Sequence, residues 1–342
     1  MLRAALRDLQ WRWKRFVIAM VGVALVFAMG LIMTGLSTSF STEVDRTLAS
    51  IGAERWAVAS DASGPFNSFS PIPTSEAANI GGSSLMVLRE TIQDGPAVRD
   101  IIVMGIEPGA LGSPKPSRGA ALTESGQVVV DRSLPEAPIG GTISFGGQHF
   151  RIVGTVSGQS LFAGIPLVYI PLADAQAVAV AGQPLATAML FADIPTFVPP
   201  QLKVMSNKDV KDDVLRPLKA ARSSISFVRL LLWLVAAIVV GSVLYLQALE
   251  RTRDFAVFKA TGTSTAAIGA GLALQAVMLS LAAAALAAIL ATVLAPLFPL
   301  NVEIPVSGYL LLPVVTVVVG LLACSIALRR TARIDPATAF GG

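Results

Sequence analysis

The chain has 342 residues, of which 54% are hydrophobic and only 14% charged, and its mean hydropathy is +0.68. Soluble domains carry about 25% charged residues, so this composition excludes an ordinary soluble protein and indicates a membrane protein. The formal net charge of +4 comes from basic residues beside membrane spans, and we predict no nucleic-acid partner.

Four apolar stretches are long enough to cross a hydrocarbon core of about 30 Å as helices that rise about 1.5 Å per residue. The first exceeds the roughly 7–15 apolar residues of a signal peptide and is followed by no clear small-residue cleavage motif, so we interpret it as an uncleaved anchor. The predicted spans are Phe16–Leu36, Leu230–Leu249, Ile268–Leu294 and Tyr309–Leu328.

Basic residues cluster on one side of these spans. The segments before the first span, between the second and third, and after the fourth hold eleven Lys and Arg against four Asp and Glu, a balance of +7. The connection between the third and fourth spans holds Glu303 and neither Lys nor Arg. By the positive-inside rule we predict a multi-pass protein of the plasma or inner membrane, with both termini cytoplasmic and the large segment after the first span outside.

The segment between the first two spans has the pattern of an extracytoplasmic α+β domain. Short β-branched runs are separated by Gly and Pro, the Gly146-Gly147 pair predicts a hairpin, and Pro171–Val180 predicts a helix with Asp174 in its first turn. We expect a mobile loop at Ser60–Gly82 because Ser, Pro, Gly and Asn resist regular structure there. The predicted strands are Arg55–Ala59, Ser84–Glu90, Asp100–Ile106, Gln127–Asp131, Thr142–Phe145, His149–Val156 and Leu167–Ile170.

From Asp209 the pattern becomes helical and leads into the second span, with an interruption or a new start near Pro217. The predicted fold is therefore a four-helix transmembrane protein with one inserted α+β domain. The predicted divisions are 1–37 (cytoplasmic N-terminus and first span), 38–208 (extracytoplasmic domain), 209–249 (stalk and second span), 250–264 (cytoplasmic helix), 265–295 (third span), 296–308 (outer loop), 309–328 (fourth span) and 329–342 (cytoplasmic tail).

The segment Glu250–Gly262 that leaves the second span is the most informative motif. It alternates charges, places Phe255 and Phe258 three residues apart, and ends at a glycine suited to a helix C-cap. These residues fit an interfacial helix whose phenylalanines contact lipid, and they equally fit a docking helix for a cytoplasmic partner.

This segment resembles the coupling segment of MacB/FtsX-type permeases, which have the type VII fold of ABC transporters. The chain departs from the family pattern at Asp254, Phe255, Lys259 and Thr263. The matching residues are Glu250, Arg251, Arg253, Ala256, Ala260, Gly262 and Ser264. Further resemblances lie at Leu6–Val26, at Phe150–Val156 with Val168–Gln176, and in the closing Arg329–Ala339 motif.

The resemblance implies a permease subunit that is not itself an enzyme, with an external domain like the MacB-type periplasmic core domain. A separate cytoplasmic ABC ATPase dimer would bind ATP and Mg, and this sequence contains no Gly-x-x-x-x-Gly-Lys-Ser/Thr phosphate loop. A second permease copy or a paralogue would pair with it in the lipid, and an external substrate-binding protein or hydrolase is a further expected partner. Export and mechanotransmission are the expected activities.

Two alternatives stay open. The chain would be a membrane-anchored regulator if its external domain activates a hydrolase or binds a lipoprotein without transport. Amino-acid uptake, of glutamine for example, is the other, although the sequence shows no binding pocket for it.

The resemblance implies ATPase-coupling roles for Glu250, Arg251, Arg253, Asp254, Phe255, Phe258, Lys259 and Gly262. The phenylalanines would be apolar anchors and the charged residues a polar rim. Ser264 or Thr263 is expected to cap the third span. Small residues let membrane helices approach closely, within one chain or between two copies, and this role is predicted for Gly22, Gly30, Gly35 and Gly241. We predict no catalytic, cofactor-binding or metal-binding residues on this chain.

Overall fold

The computed structural model describes residues 13–94, 97–134, 138–250, 257, 262–298, 300 and 302–332. The chain divides into two compact units. The membrane unit contains residues up to Thr38 and those from Ala221 onward, and the external unit is Ser39–Ala220.

In chain order, the helices of the described residues are α1 (Trp13–Ile51), α2 (Thr74–Ile80), α3 (Leu172–Val180), α4 (Asn207–Leu215), α5 (Lys219–Glu250), α6 (Thr265–Leu294), a 3₁₀ helix (Ala295–Leu297) and α7 (Val306–Ala332). The strands are β1 (Arg55–Ala59), β2 (Ile72–Pro73), β3 (Ser83–Asp94), β4 (Ala97–Ile106), β5 (Arg118–Gly119), β6 (Gln127–Asp131), β7 (Thr142–Phe145), β8 (Gln148–Val156), β9 (Ser160–Leu161), β10 (Ile165–Pro171), β11 (Leu185–Ala186), β12 (Ala188–Phe191) and β13 (Leu202–Ser206).

Helices α1, α5, α6 and α7 are the four in the described part of the chain that are long and apolar enough to cross a membrane. The predicted number of spans is confirmed. Nine of the nineteen buried residues in their shared core are alanine, among them Ala28, Ala236, Ala276 and Ala287. Small side chains let membrane helices approach closely, and this close packing holds them together because lipid offers no hydrophobic drive between helices.

The external unit is built on a mixed sheet of eleven strands among the described residues, ordered β13-β1-β12-β3-β4-β10-β6-β8-β5. Strand β7 pairs with β8 and β9 pairs with β10. The long antiparallel β3–β4 pair lies in the middle, and β10 joins β4 in parallel. The hydrophobic core on one face includes Phe150, Ile101 and Ala175 of α3. Gly105 lies directly beneath Ala175, so the strand has no room for a side chain there.

Each of the seven predicted strands and the helix at Pro171–Val180 overlaps an element of the structure. The predicted hairpin is confirmed, since Phe145 pairs with Gln148 across Gly146 and Gly147, which both have positive φ. The break at Pro217 is also confirmed, because α4 ends before it and α5 begins after it.

One expectation needs correction, and two features were not predicted. The segment Ser60–Gly82 is not irregular throughout, because β2 and α2 occupy 72–80, with Ile72 and Ala77 buried in a small core against β12 and β13. Strands β12 and β13 were not predicted, although they flank β1. The helix that contains the first predicted span continues beyond Leu36 to Ile51, because no Pro or Gly interrupts the chain between Gly35 and Gly52.

Candidate functional site

The coupling segment begins where α5 ends, at Glu250, which is exposed. Val257 is helical and 46% exposed. The other predicted coupling residues lie outside the described residues: Arg251, Arg253, Asp254, Phe255, Phe258 and Lys259.

The end of the segment lies at the start of α6. Gly262 has φ of +91°, a backbone conformation that favours glycine and suits the predicted helix end. Two residues later the Ser264 hydroxyl accepts a hydrogen bond from the Ala267 N–H at 3.2 Å, which caps α6. The expected cap at the start of the third span is confirmed, and Ser264 provides it.

Three of the four glycines predicted to pack spans contact other helices or loops of the same chain. A Cβ at Gly30 would lie 3.4 Å from Trp233 Nε1, and one at Gly241 would lie 3.5 Å from Ala323. A Cβ at Gly35 would lie 2.7 Å from side-chain atoms of Val302 and Ile304, so no larger residue fits there without a shift. Among the described residues, no atom lies within 4 Å of a Cβ built at Gly22.

The part of α1 inside the external unit is fixed to the loop 158–164. Thr47, which is fully buried, donates a hydrogen bond to the Ser160 carbonyl oxygen at 2.9 Å. The Ser160 hydroxyl donates to the Glu43 carboxylate, which also accepts from backbone N–H groups of Ala163 and Gly164. Side-chain and backbone groups of the loop therefore bind one face of the helix over a full turn.

The loop achieves this by an unusual backbone path. Phe162, Ala163 and Gly164 have φ of 52°, 68° and 104°, and consecutive residues in this region turn their N–H groups toward one anion. Arg89 lies over the Phe162 ring, with its guanidinium carbon 4.7 Å from the ring centroid. We call this arrangement of Glu43, Thr47 and loop 158–164 the helix clamp.

A buried network of hydrogen bonds holds Gln159, a residue of the loop in the helix clamp. The Tyr169 hydroxyl donates to Gln159 Oε1 at 2.6 Å, and the Gln159 N–H donates to Asp131 Oδ2 at 2.8 Å. Burial raises the pKa of the Tyr169 phenol above its ordinary value, so the hydroxyl stays protonated and remains a donor. Because each buried polar group here has a partner, the network holds the loop in one position.

Sequence reasoning missed the helix clamp entirely. Glu43 and Ser160 are 117 residues apart, and no motif links them. The available signal was the uninterrupted helical stretch after Leu36, which places Glu43 and Thr47 on one helix face at i and i+4. In the described part of the chain, no group of three His, Cys, Asp or Glu side chains has the arrangement of a metal site.

Four membrane-crossing helices with a sheet domain inserted between the first two define a polytopic membrane protein with a large extracellular domain. Comparison with protein families gives the class. Residues 17–194 match the MacB-like periplasmic core domain, and residues 226–336 match the FtsX-like permease C-terminal region.

Full-length relatives agree. An uncharacterized ABC transporter permease of Mycobacterium tuberculosis and one of Mycobacterium bovis are each 42% identical over 349 residues, covering 100% of both chains. A putative hemin transport system permease protein of Staphylococcus epidermidis is 25% identical over 126 residues, or 36% of each chain. The chain therefore belongs to the family of MacB/FtsX-type ABC transporter permeases. Its relatives are named as permeases, which fits a non-enzymatic subunit.

Among solved structures, the extracellular domain of the noncanonic ABC-type transporter YknZ from Gram-positive bacteria is similar at 12% identity with a TM-score of 0.33. The match covers 45% of this chain and 99% of that one. The family assignment rests on the family models and the full-length relatives, which do not depend on this likeness.

Proposed function

We propose that this permease subunit couples ATP binding and hydrolysis on a separate cytoplasmic ATPase to movement of its external domain. The movement would serve export of a substrate or mechanical activation of a partner outside the cell. ATP and Mg would be bound by the ATPase dimer, and two permease copies would share it. Family membership supports the general scheme, and one feature of the fold supports the coupling.

That feature is the unbroken length of α1. A helix of 39 residues is about 58 Å long, whereas the hydrocarbon core is about 30 Å thick. The last 13 residues of α1, Ser39–Ile51, belong to the external unit, where the helix clamp fixes Glu43 and Thr47 to the sheet domain. A flexible linker would absorb a displacement of the span, whereas a continuous helix transmits it. Motion of the first span would therefore reach loop 158–164 of the helix clamp.

The cytoplasmic input is assigned to the coupling segment from its sequence. Phe255 and Phe258 would enter an apolar groove of the ATPase, because buried aromatic side chains dominate interface energetics. Arg251, Asp254 and Lys259 would form the charged rim. The turn at Gly262 and the cap at Ser264 support this role, since they start α6 immediately after the segment and limit its freedom to move alone.

The test is co-purification with an ABC ATPase encoded beside this chain. The double change Phe255→Asp and Phe258→Asp should reduce the ATPase retained on the purified permease by about tenfold or more, as loss of interface hot spots does. The matched control is Phe197→Asp, which makes the same chemical change at a residue of the external unit that is 66% exposed. Equal retention by the two variants, or no association of the unaltered chain, would refute the proposal.

Reconstitution in vesicles separates the two forms of the function. Movement of a labelled substrate that requires ATP supports export. Activation by ATP of an external enzyme without such movement supports mechanotransmission. In either case Glu43→Ala should uncouple ATP hydrolysis from the external event while leaving ATPase binding intact, because the helix clamp lies far along the chain from the coupling segment.

A further inference from the structure

An isolated arginine occurs where the second span begins. Arg229 is the one charged residue between Arg222 and Glu250, and it follows the start of α5 by ten residues. A long basic side chain near the end of a membrane helix can reach the head-group region, where its charge meets polar groups. Neither the helix clamp nor the coupling segment uses it.

The membrane unit itself indicates the depth of Arg229. Its NH1 group donates a hydrogen bond to Thr34 Oγ1 of α1 at 3.3 Å, so the two residues are at one level. The next residue of α1, Gly35, packs against Val302 and Ile304 of the non-helical connection between α6 and α7. Irregular backbone is not tolerated among lipid tails, so this level corresponds to the head-group region of the leaflet nearest the external domain.

The guanidinium is positioned but not neutralised. Its central carbon is 5.5 Å from the centroid of the Trp233 ring, and Gly30 leaves room for that ring against α1. The Thr34 hydroxyl donates to the Gly30 carbonyl oxygen at 2.9 Å, so its oxygen faces Arg229 as an acceptor. Across the described residues, no carboxylate forms an ion pair with Arg229. The remaining N–H donors of this half-buried group are available for an anion.

The surface around Arg229 is apolar. On α5, Phe227, Leu230 and Leu234 are 61%, 56% and 54% exposed. An anion held here would have hydrocarbon beside it, which suits an amphiphile and disfavours a free ion. A guanidinium fork matches the oxygen atoms of a phosphate, and tryptophan is enriched at the level of lipid head groups.

We propose that Arg229, held by Thr34 and Trp233, binds the phosphate head group of an anionic lipid in the outer leaflet. The acyl chains of this lipid lie along the apolar face of α5. The site requires the membrane unit alone and does not depend on ATPase coupling.

The test uses the full chain purified in detergent and measures bound lipid by native mass spectrometry, with phosphatidylglycerol and phosphatidylcholine as probes. The unaltered chain should retain phosphatidylglycerol in preference to phosphatidylcholine. Arg229→Gln should lower its retention by about tenfold, as loss of a charge-assisted hydrogen bond does. Arg229→Lys should give a smaller loss because the charge remains without the fork.

Arg222→Gln is the matched control, since it removes the same charge from the same helix two turns earlier and should leave retention unchanged. Thr34→Ala, which keeps the arginine and removes its support, should lower retention moderately and serves if Arg229→Gln fails to fold. Equal losses in Arg229→Gln and Arg222→Gln would overturn the proposal. Displacement of the lipid by millimolar inorganic phosphate would also overturn it, because the ligand would then be a free anion.

Discussion

The two units of this permease solve the problem of a specific fold in opposite ways. The external unit buries large side chains, such as Trp56, Tyr169 and Phe150, and the Trp56 indole N–H and the Tyr169 hydroxyl each donate a hydrogen bond. The membrane unit exposes large apolar residues such as Leu310 and Leu322, and nine of the nineteen buried residues in its described core are alanine.

The solvent explains the difference. In water, removal of apolar surface stabilises the core by about 25 cal/mol per Å², so size is an advantage. In lipid that gain vanishes, and contact between helices depends on how closely their backbones approach. Changes that leave a cavity should therefore be most harmful in the external unit, and changes that add volume should be most harmful in the membrane unit.

The largest expected effect is that of Trp56→Ala in β1. This change removes a fully buried ring that packs on Phe66, and it leaves Asn207 Oδ1 without the indole N–H that donates to it at 2.8 Å. We expect a loss of about 3–5 kcal/mol in the free energy of unfolding of the external unit. Hydrogen exchange of the β1 and β13 amides in the full chain measures it. Phe69→Ala, at a side chain 54% exposed, is the control. A similar loss of stability in Trp56→Ala and Phe69→Ala would contradict the prediction that buried cavities are what harms the external unit.

An intermediate effect is expected from added volume between α6 and α7. Gly320 lies so close to the Ser280 hydroxyl that a Cβ would overlap it, whereas a Cβ at Gly271 would meet no atom of the described residues within 4 Å. Gly320→Val should lower the free energy of unfolding by about 1–3 kcal/mol, and Gly271→Val by less. Thermal unfolding in detergent compares the two variants. If they are equally destabilised, close approach is not what holds these helices together.

The smallest effect concerns the capping box of α4. The Ser206 hydroxyl accepts from the Asp209 N–H, and the Asp209 carboxylate accepts from the Ser206 N–H at 2.9 Å. Ser206→Ala should cost about 1 kcal/mol in local stability, measured by hydrogen exchange of the α4 amides.

The same cap gives a pH dependence. The hydrogen bonds from the backbone and side chain of Ser206 lower the pKa of Asp209. Its contribution is therefore fully present above the unfolded pKa, near 3.9, and disappears as the pH falls through the lower folded value. Asp209→Asn should abolish this acid-dependent fraying of α4. Persistence of the fraying in that variant would assign it to another group.

Local pattern predicted most of the elements. The four spans were recognisable because about 20 apolar residues are needed to cross a bilayer, and β3, β4 and β8 because their β-branched runs are bounded by turn residues. Strands β12 and β13 escaped prediction because they are short and are defined by pairing with β1, which lies more than 130 residues earlier in the chain.

The candidate functional residues also fall into two groups, those that local sequence predicts and those that it does not. Gly262 and Ser264 were predicted as a helix end and a cap, since turn and cap chemistry is local. The partners of Glu43 and Arg229 were not predicted, because Ser160 and Thr34 are brought to them from distant parts of the chain.

By itself, the sequence determined the membrane class, the number of spans and the position of the inserted domain, because hydrophobic length and charge asymmetry act along the chain. It also carried the motif that points to an ATPase partner. The tertiary structure alone decided that α1 continues into the external unit and is fixed there by the helix clamp. It also decided that Arg229 meets Thr34 of α1. Both arrangements depend on hydrogen bonds and packing between distant residues, which no local pattern encodes.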